Sequence, residues 1–232
     1  FRRFLAHAAC GRIAAGARSG VRPRRAEVRK IHWQEASGAN VPTKTELREH
    51  FRALRRTHVE AQPDAVRALL FHRPPAPVLD LIAEGAVIGL YHASRFEAPA
   101  SAYAGFFAER GHRIALPHFT ERDAPMTFRA HTDPFGASDL VPGPFGLLQP
   151  GGEPEECVPD VLFVPLVGFT ETCERLGQGG GHYDRWLAEH PGRLTIGLAW
   201  DAQLIEPAST LPLEPHDQRL DAVVTPSRIY RP

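Results

Sequence analysis

Apolar and polar positions first fall into step at Thr43, which is suited to cap a helix, with Glu46 three positions on as the other half of a capping box. Leu47, Phe51 and Leu54 then recur at helical spacing, while Lys44, Arg48, Arg52, Arg55 and Arg56 take the remaining faces. A basic helix face of this kind is most often simply solvated. A second helix is predicted over 63–71, ended by Pro74-Pro75, and a third over 78–84. Beyond them the pattern becomes short apolar runs alternating with helical segments. Strands are predicted over 86–92, 113–117, 126–130, 161–167, 194–200 and 220–225, with helices over 101–110 (stopped by Gly111) and 183–189. A Pro- and Gly-rich loop covers 134–159. Strands that are apolar on both faces and alternate with helices predict an α/β domain with a mainly parallel sheet.

Composition bounds the class. Of 232 residues 43% are hydrophobic, enough to bury a core. No apolar run reaches the roughly eighteen residues that a membrane-spanning helix needs. Cys10, Cys157 and Cys173 are odd in number and form no C-x-x-C pair, which fits free thiols in a reducing, cytoplasmic setting.

The zero net charge averages two unlike pieces. Residues 1–40 carry nine basic and two acidic side chains, a net of +7, so the remainder carries −7. An acidic body is not built for broad nucleic-acid binding, so none is expected for 41–232. The Arg-rich opening fits an organelle transit peptide, a basic tail for RNA or anionic surfaces, or sequence upstream of a start near Val41. The last is preferred, because a valine codon can serve as an initiator and a capped helix begins two residues later. Residues 1–40 are therefore expected to be a disordered or non-native extension, and 41–232 a single domain.

The stretch RLGQGGGHYDR, Arg175 to Arg185, places four glycines in five positions between a predicted strand and a predicted helix. Ligands of open α/β sheets bind beyond the carboxyl ends of strands, and a helix amino terminus offers free N–H groups to phosphate oxygens. Bare glycines let those groups approach closely. The Gly-Lys-Ser/Thr ending of a Walker loop is absent, and a glycine-rich turn alone is equally compatible with a structural turn.

Specificity comes from several pieces in order: KTELR (44–48), Glu97 after a strand, MTF (126–128), FGLLQP (145–150), PDVLFVPLVGF (159–169), RLGQGGGHYDR and LPLEPHDQRLDAVVT (211–225). From Lys44 to about Pro226 the chain resembles the 5-formyltetrahydrofolate cyclo-ligase, or 5,10-methenyltetrahydrofolate synthetase, family. The resemblance implies a three-layer α/β/α fold of the type shared by ribose-phosphate isomerases and CoA transferases. It implies ATP-driven cyclisation of 5-formyltetrahydrofolate to 5,10-methenyltetrahydrofolate, releasing ADP and phosphate; the enzyme is expected to be cytoplasmic, and although the sequence does not give the oligomeric state, a monomer is the expectation.

Carried onto this chain, ATP is expected to meet Lys44, Arg48, Arg175, Leu176, Gly177, Gln178, Gly179, Gly180, Gly181, His182 and Tyr183. Asp184 and Asp217 resemble magnesium carboxylates, and Mg²⁺ commonly takes one or two carboxylates plus nucleotide phosphates. Glu97 and Tyr183 are expected on the folate side, and Arg175, Tyr183 and Asp184 at the reacting groups. The chain departs from the family pattern at His182 (usually Phe or Tyr), Gln149 (usually Glu), Cys173 (commonly Gly) and Pro99 (often polar). These departures motivate the alternative of a non-catalytic folate- or nucleotide-binding relative, against which the retained basic and acidic groups stand. A zinc enzyme using some of the twelve histidines is disfavoured, because no H-E-x-x-H pair is present.

Overall fold

The computed structural model describes residues 41–151, 155–208 and 211–232; the extension expected over 1–40 lies outside the described residues. Helix α1 (Lys44–Glu60) begins at the Thr43–Glu46 capping box, whose backbone and side-chain bonds are both formed. Its buried residues are Leu47, Phe51, Arg55 and Val59, one every fourth position. Arg55, expected on a solvated face, is thus on the buried stripe. Helices α2 (Asp64–Leu69) and α3 (Ala76–Leu79) follow. α3 starts two residues earlier than expected and is short. Pro75 at its cap and Pro77 in its first turn occupy positions where a missing N–H costs no helical bond.

The central sheet has seven strands in the order β11-β10-β9-β6-β1-β2-β3. They are β1 (Val87–Gly89), β2 (Arg113–His118), β3 (Thr127–Ala130), β6 (Val161–Pro165), β9 (Leu194–Leu198), β10 (Ala222–Val224) and β11 (Ile229–Tyr230). The five strands from β10 to β2 pair in parallel, and antiparallel β3 and β11 close the two edges. Side chains alternate between faces with the strand period of two. Ile88, Ile114, Leu116, Val161, Phe163, Ile196 and Leu198 face helix α4 (Ser101–Ala108), with Phe71, Val78 and Trp200 in the same cluster. Leu162, Val164, Ala115 and Val223 face the other way, toward Trp186 and Leu187 of α5 (His182–Glu189). Helices on both faces of a mainly parallel sheet make the expected α/β/α sandwich.

The strands and the loops between them also depart from the sequence-based expectation. The strand over 161–167 stops at Pro165, which has no N–H to donate to a further ladder rung. The chain then forms a two-residue antiparallel hairpin, β7 (Gly168–Phe169) with β8 (Arg175–Leu176), before the glycines. The loop expected over 134–159 contains a second small hairpin, β4 (Leu140–Pro142) with β5 (Leu148–Pro150). Among the described residues, no helix is long and apolar enough to cross a membrane.

Candidate active site

Helix α1 lies over the carboxyl end of the sheet. Leu47 and Phe51 pack with Val167, Leu176, Ile205 and Leu211, all in segments that follow strands β6 and β9. Its polar side is thereby turned toward the glycine stretch. Arg48 Nε donates to the Gly177 carbonyl at 2.9 Å, and Arg52 donates to the Gln178 carbonyl at 3.1 Å and to its Oε1 at 2.9 Å. The glycine turn is as bare as it must be. Gly179 has φ +108° and Gly181 φ +65°, both in territory that L side chains rarely adopt, and a Cβ on Gly181 would sit 2.9 Å from Arg185. Gly181 is also the residue that caps α5, so the turn opens directly onto that helix's unpaired N–H groups.

At one end of the cleft stand two cation–carboxylate pairs. Arg175 donates to Asp184 Oδ1 at 2.6 Å, and the Gln218 N–H reaches the same oxygen at 3.2 Å. Lys44 Nζ lies 2.5 Å from Glu214 Oε2 and 2.7 and 2.9 Å from the two oxygens of Asp217. Partial burial alone would raise the Asp217 carboxyl. The bonds from Lys44 and from the Glu214 amide outweigh it and hold the group below its ordinary range. Lys44 is held above its ordinary value, since the two carboxylates outweigh the burial that would lower it.

At the other end Glu97 is buried. Its Oε2 accepts from the Ser94 N–H at 2.8 Å, its Oε1 from Gln178 at 3.0 Å, and Arg55 lies 3.8 Å away. The Tyr183 phenol is pushed above its ordinary value by burial and then by the nearby Glu97, so it remains a hydrogen-bond donor at neutral pH. The Arg175 guanidinium stands 5.9 Å from the Tyr183 ring centre, joining the two ends. His182 packs edge-on against Phe119 at 4.9 Å and Phe145 at 5.5 Å. Burial, then Arg185, lowers its pKa, so the ring is neutral near pH 7 and completes an aromatic wall.

Every residue expected to bind nucleotide, folate or metal, from Lys44 and Arg48 through Glu97 and Arg175–Asp184 to Asp217, lines this one cleft of about 980 Å³. Three departures from the family pattern acquire physical reasons. Cys173 has φ +65°, the left-handed conformation that favours glycine. Gln149 both accepts from the Phe119 N–H (3.1 Å) and donates to its carbonyl (3.0 Å), a pairing that a glutamate carboxylate cannot make in full. Pro99 lines a smaller adjoining cavity instead of the cleft.

Sequence reasoning missed Glu214, Arg52 and Arg55. The spacing 47-51-55-59 carried the signal for Arg55; nothing local marks Glu214 as a partner of a lysine 170 positions away. Among the described residues, one group of three metal-capable side chains converges, Glu214, His216 and Asp217, with ligand atoms within 4.8 Å of one another. It is mostly carboxylate and already embraces an ammonium, which suits a hard, oxygen-seeking cation better than zinc.

Comparison with known proteins agrees with these observations. Residues 40–226 match the 5-formyltetrahydrofolate cyclo-ligase family. The 5-formyltetrahydrofolate cyclo-ligase of Escherichia coli K12 is 41% identical over 99 residues, covering 40% of this chain and 53% of the relative. That of Mycolicibacterium smegmatis is 32% identical over 127 residues, 52% of this chain and 63% of the relative. The aligned part thus spans about half the length of the curated relatives it matches. A solved Aquifex aeolicus 5,10-methenyltetrahydrofolate synthetase superposes with a TM-score of 0.60 over 81% of this chain and 92% of that one, at 24% identity, which establishes the shared fold.

Proposed function

The chain belongs to the 5-formyltetrahydrofolate cyclo-ligase family, and we propose that it catalyses the ATP-dependent cyclisation of 5-formyltetrahydrofolate to 5,10-methenyltetrahydrofolate, with release of ADP and phosphate. The observation that carries this reading is the convergence on one cleft of a glycine turn, three basic side chains (Lys44, Arg48 and Arg175), three carboxylates (Asp184, Glu214 and Asp217) and the buried Glu97.

A formamide carbonyl is a poor electrophile and its oxygen a poor leaving group. Transfer of the γ-phosphoryl group to that oxygen turns N5–CHO into an iminium phosphate. The N10 amine then attacks the same carbon, and phosphate leaves with the C–O electron pair while N10 loses its proton. Such chemistry asks the protein chiefly to align the two substrates and to neutralise shifting negative charge.

In this reading the N–H groups of the glycine turn and of the first turn of α5 cradle the phosphates, with Lys44, Arg48 and Arg175 beside them. Asp184 and Asp217 would hold Mg²⁺. Asp217 fits it as part of the oxygen-rich group it forms with Glu214, and Asp184 Oδ1 is tied to that loop by the N–H of the adjacent Gln218. Bound there, Mg²⁺ supplies charge neutralisation at the phosphate oxygens. Lys44 and Arg175 exchange carboxylate for phosphate as the nucleotide enters. Glu97 accepts hydrogen bonds from pterin N–H groups, and the protonated Tyr183 phenol, between the two ends, donates to the reacting oxygen. The aromatic wall of Phe119, Phe145 and His182 covers the folate and limits the access of water to the iminium carbon.

Formation of methenyltetrahydrofolate followed by its absorbance tests the proposal. ATP-dependent product is expected, and its absence from well-folded protein at saturating ATP and Mg²⁺ would overturn the reading.

A further inference from the structure

The geometry points to Gln178 as a positioning residue that couples the nucleotide end of the cleft to the folate end through Glu97, an inference that rests on the function proposed above. Its carboxamide is held at both atoms. Oε1 accepts from Arg52 Nε at 3.2 Å and from Arg52 NH2 at 2.9 Å, which turns the NH₂ group toward Glu97 Oε1 at 3.0 Å. The opposite amide orientation would set an oxygen against a carboxylate and an NH₂ against a guanidinium, so the two partners together dictate this one.

Glu97 depends on that contact. It is a buried carboxylate whose Oε2 is taken by the Ser94 N–H at 2.8 Å, and Arg55 stands back at 3.8 Å from Oε1. The Gln178 amide is therefore the hydrogen-bond donor that sets the direction of Oε1. A carboxylate offers about four acceptor positions, so Glu97 keeps acceptor capacity for a second ligand while being aligned by these donors.

Gln178 in turn belongs to the glycine turn. Gly177 and Gly179 flank it, and Arg48 and Arg52, one helical turn apart on α1, grip the carbonyls of residues 177 and 178. A phosphate seated in the turn fixes the backbone on either side of Gln178, and this fixes the amide and then Glu97. Nucleotide binding thereby raises affinity for the folate, and by thermodynamic reciprocity folate raises affinity for nucleotide by the same factor.

Calorimetry of 5-formyltetrahydrofolate binding to the full chain, with and without Mg²⁺ and a non-hydrolysable ATP analogue, reads the coupling directly. The wild type is expected to bind at least about fivefold tighter with the analogue. Gln178→Leu, which keeps bulk and removes both hydrogen-bonding atoms, is expected to bring that ratio close to one and to raise the folate KM at saturating ATP more than it lowers kcat. Arg52→Met, which leaves Gln178 in place and loosens its anchor, is expected to lower the ratio part of the way, and it carries the test should Gln178→Leu not fold. A wild-type ratio of one, or a ratio unchanged in the folded variants, overturns the coupling. A wild type that does not bind 5-formyltetrahydrofolate at all overturns instead the functional reading on which the coupling rests.

Discussion

Arg175 and Asp184 are joined by a 2.6 Å charge-assisted hydrogen bond, with both side chains largely buried. The pair fixes the carboxylate in the first turn of α5, beside the glycine turn, where bound phosphates would face it. Asp184→Ala removes the carboxylate proposed for Mg²⁺ and leaves Arg175 without its partner. Steady-state kinetics should show kcat reduced by about 10²–10³, with a raised Mg²⁺ requirement and a smaller change in folate KM. Near-normal kcat with unchanged Mg²⁺ dependence would reduce Asp184 to an architectural role.

Glu97→Gln tests the other end. The amide keeps the size but presents a donor where pterin N–H groups need an acceptor. The folate KM should rise by about tenfold or more, as expected when a buried hydrogen bond to a charged group is lost, while the ATP KM changes less. Equal effects on both would place Glu97 outside folate recognition.

Acid stability should report on Asp139. Burial alone would raise this carboxyl; bonds from His131 Nδ1 at 2.9 Å and the Thr132 N–H at 2.7 Å outweigh it and hold the group below the ordinary 3.8. A depressed carboxylate adds stability that is fully present above its unfolded value and fades as pH falls through its folded one. Thermal melts of wild type and Asp139→Asn should differ by several degrees at pH 6. The gap should close as pH falls below 3.8.

Gly89 probes the packing under β1. A Cβ there would lie 2.9 Å from Pro159 Cγ and 3.2 Å from Phe128 Cε1, and neither ring can move aside cheaply. Gly89→Ala should cost about 1–3 kcal/mol through overpacking. A drop in Tm of several degrees with KM values preserved is the expected result; an unchanged Tm would show that β1 and β6 relax more freely than their register implies.

A chain starting at Val41 should keep both Tm and turnover, because the capped helix begins at Thr43 and its first buried contact is Leu47. A Tm loss of more than a few degrees would show that residues before 41 pack on the domain.

Much of this architecture is legible in one dimension because its determinants are local. The capping box of α1 lies within four residues, and the apolar runs of β2, β6 and β9 exceed what a loop would carry. What escaped is short or distant. Strands β7, β8 and β11 have two residues each, too few for any period to show. The left-handed turn at Cys173 is invisible in a residue that does not advertise it. Arg55 was readable in principle, since its place on the 47-51-55-59 stripe outweighs its charge; a buried arginine is simply unexpected until the Leu166 carbonyl and Glu97 are seen beside it. The partnership of Lys44 with Glu214 and Asp217 depends on tertiary folding alone.

That partnership spans 170 and 173 positions of sequence. In the proposed reading, the first helix of the described domain would supply Lys44 to the phosphates, and a loop near its last strands would supply the carboxylates that hold Lys44 in place. If the proposal holds, ligand affinity would act as an inspection of the finished chain. A proteolytic fragment or an incomplete translation product that lacks either segment would retain the glycine turn but lose either Lys44 or the carboxylates that position it. Nucleotide, by binding only the completed form, would selectively protect whole molecules from unfolding and degradation.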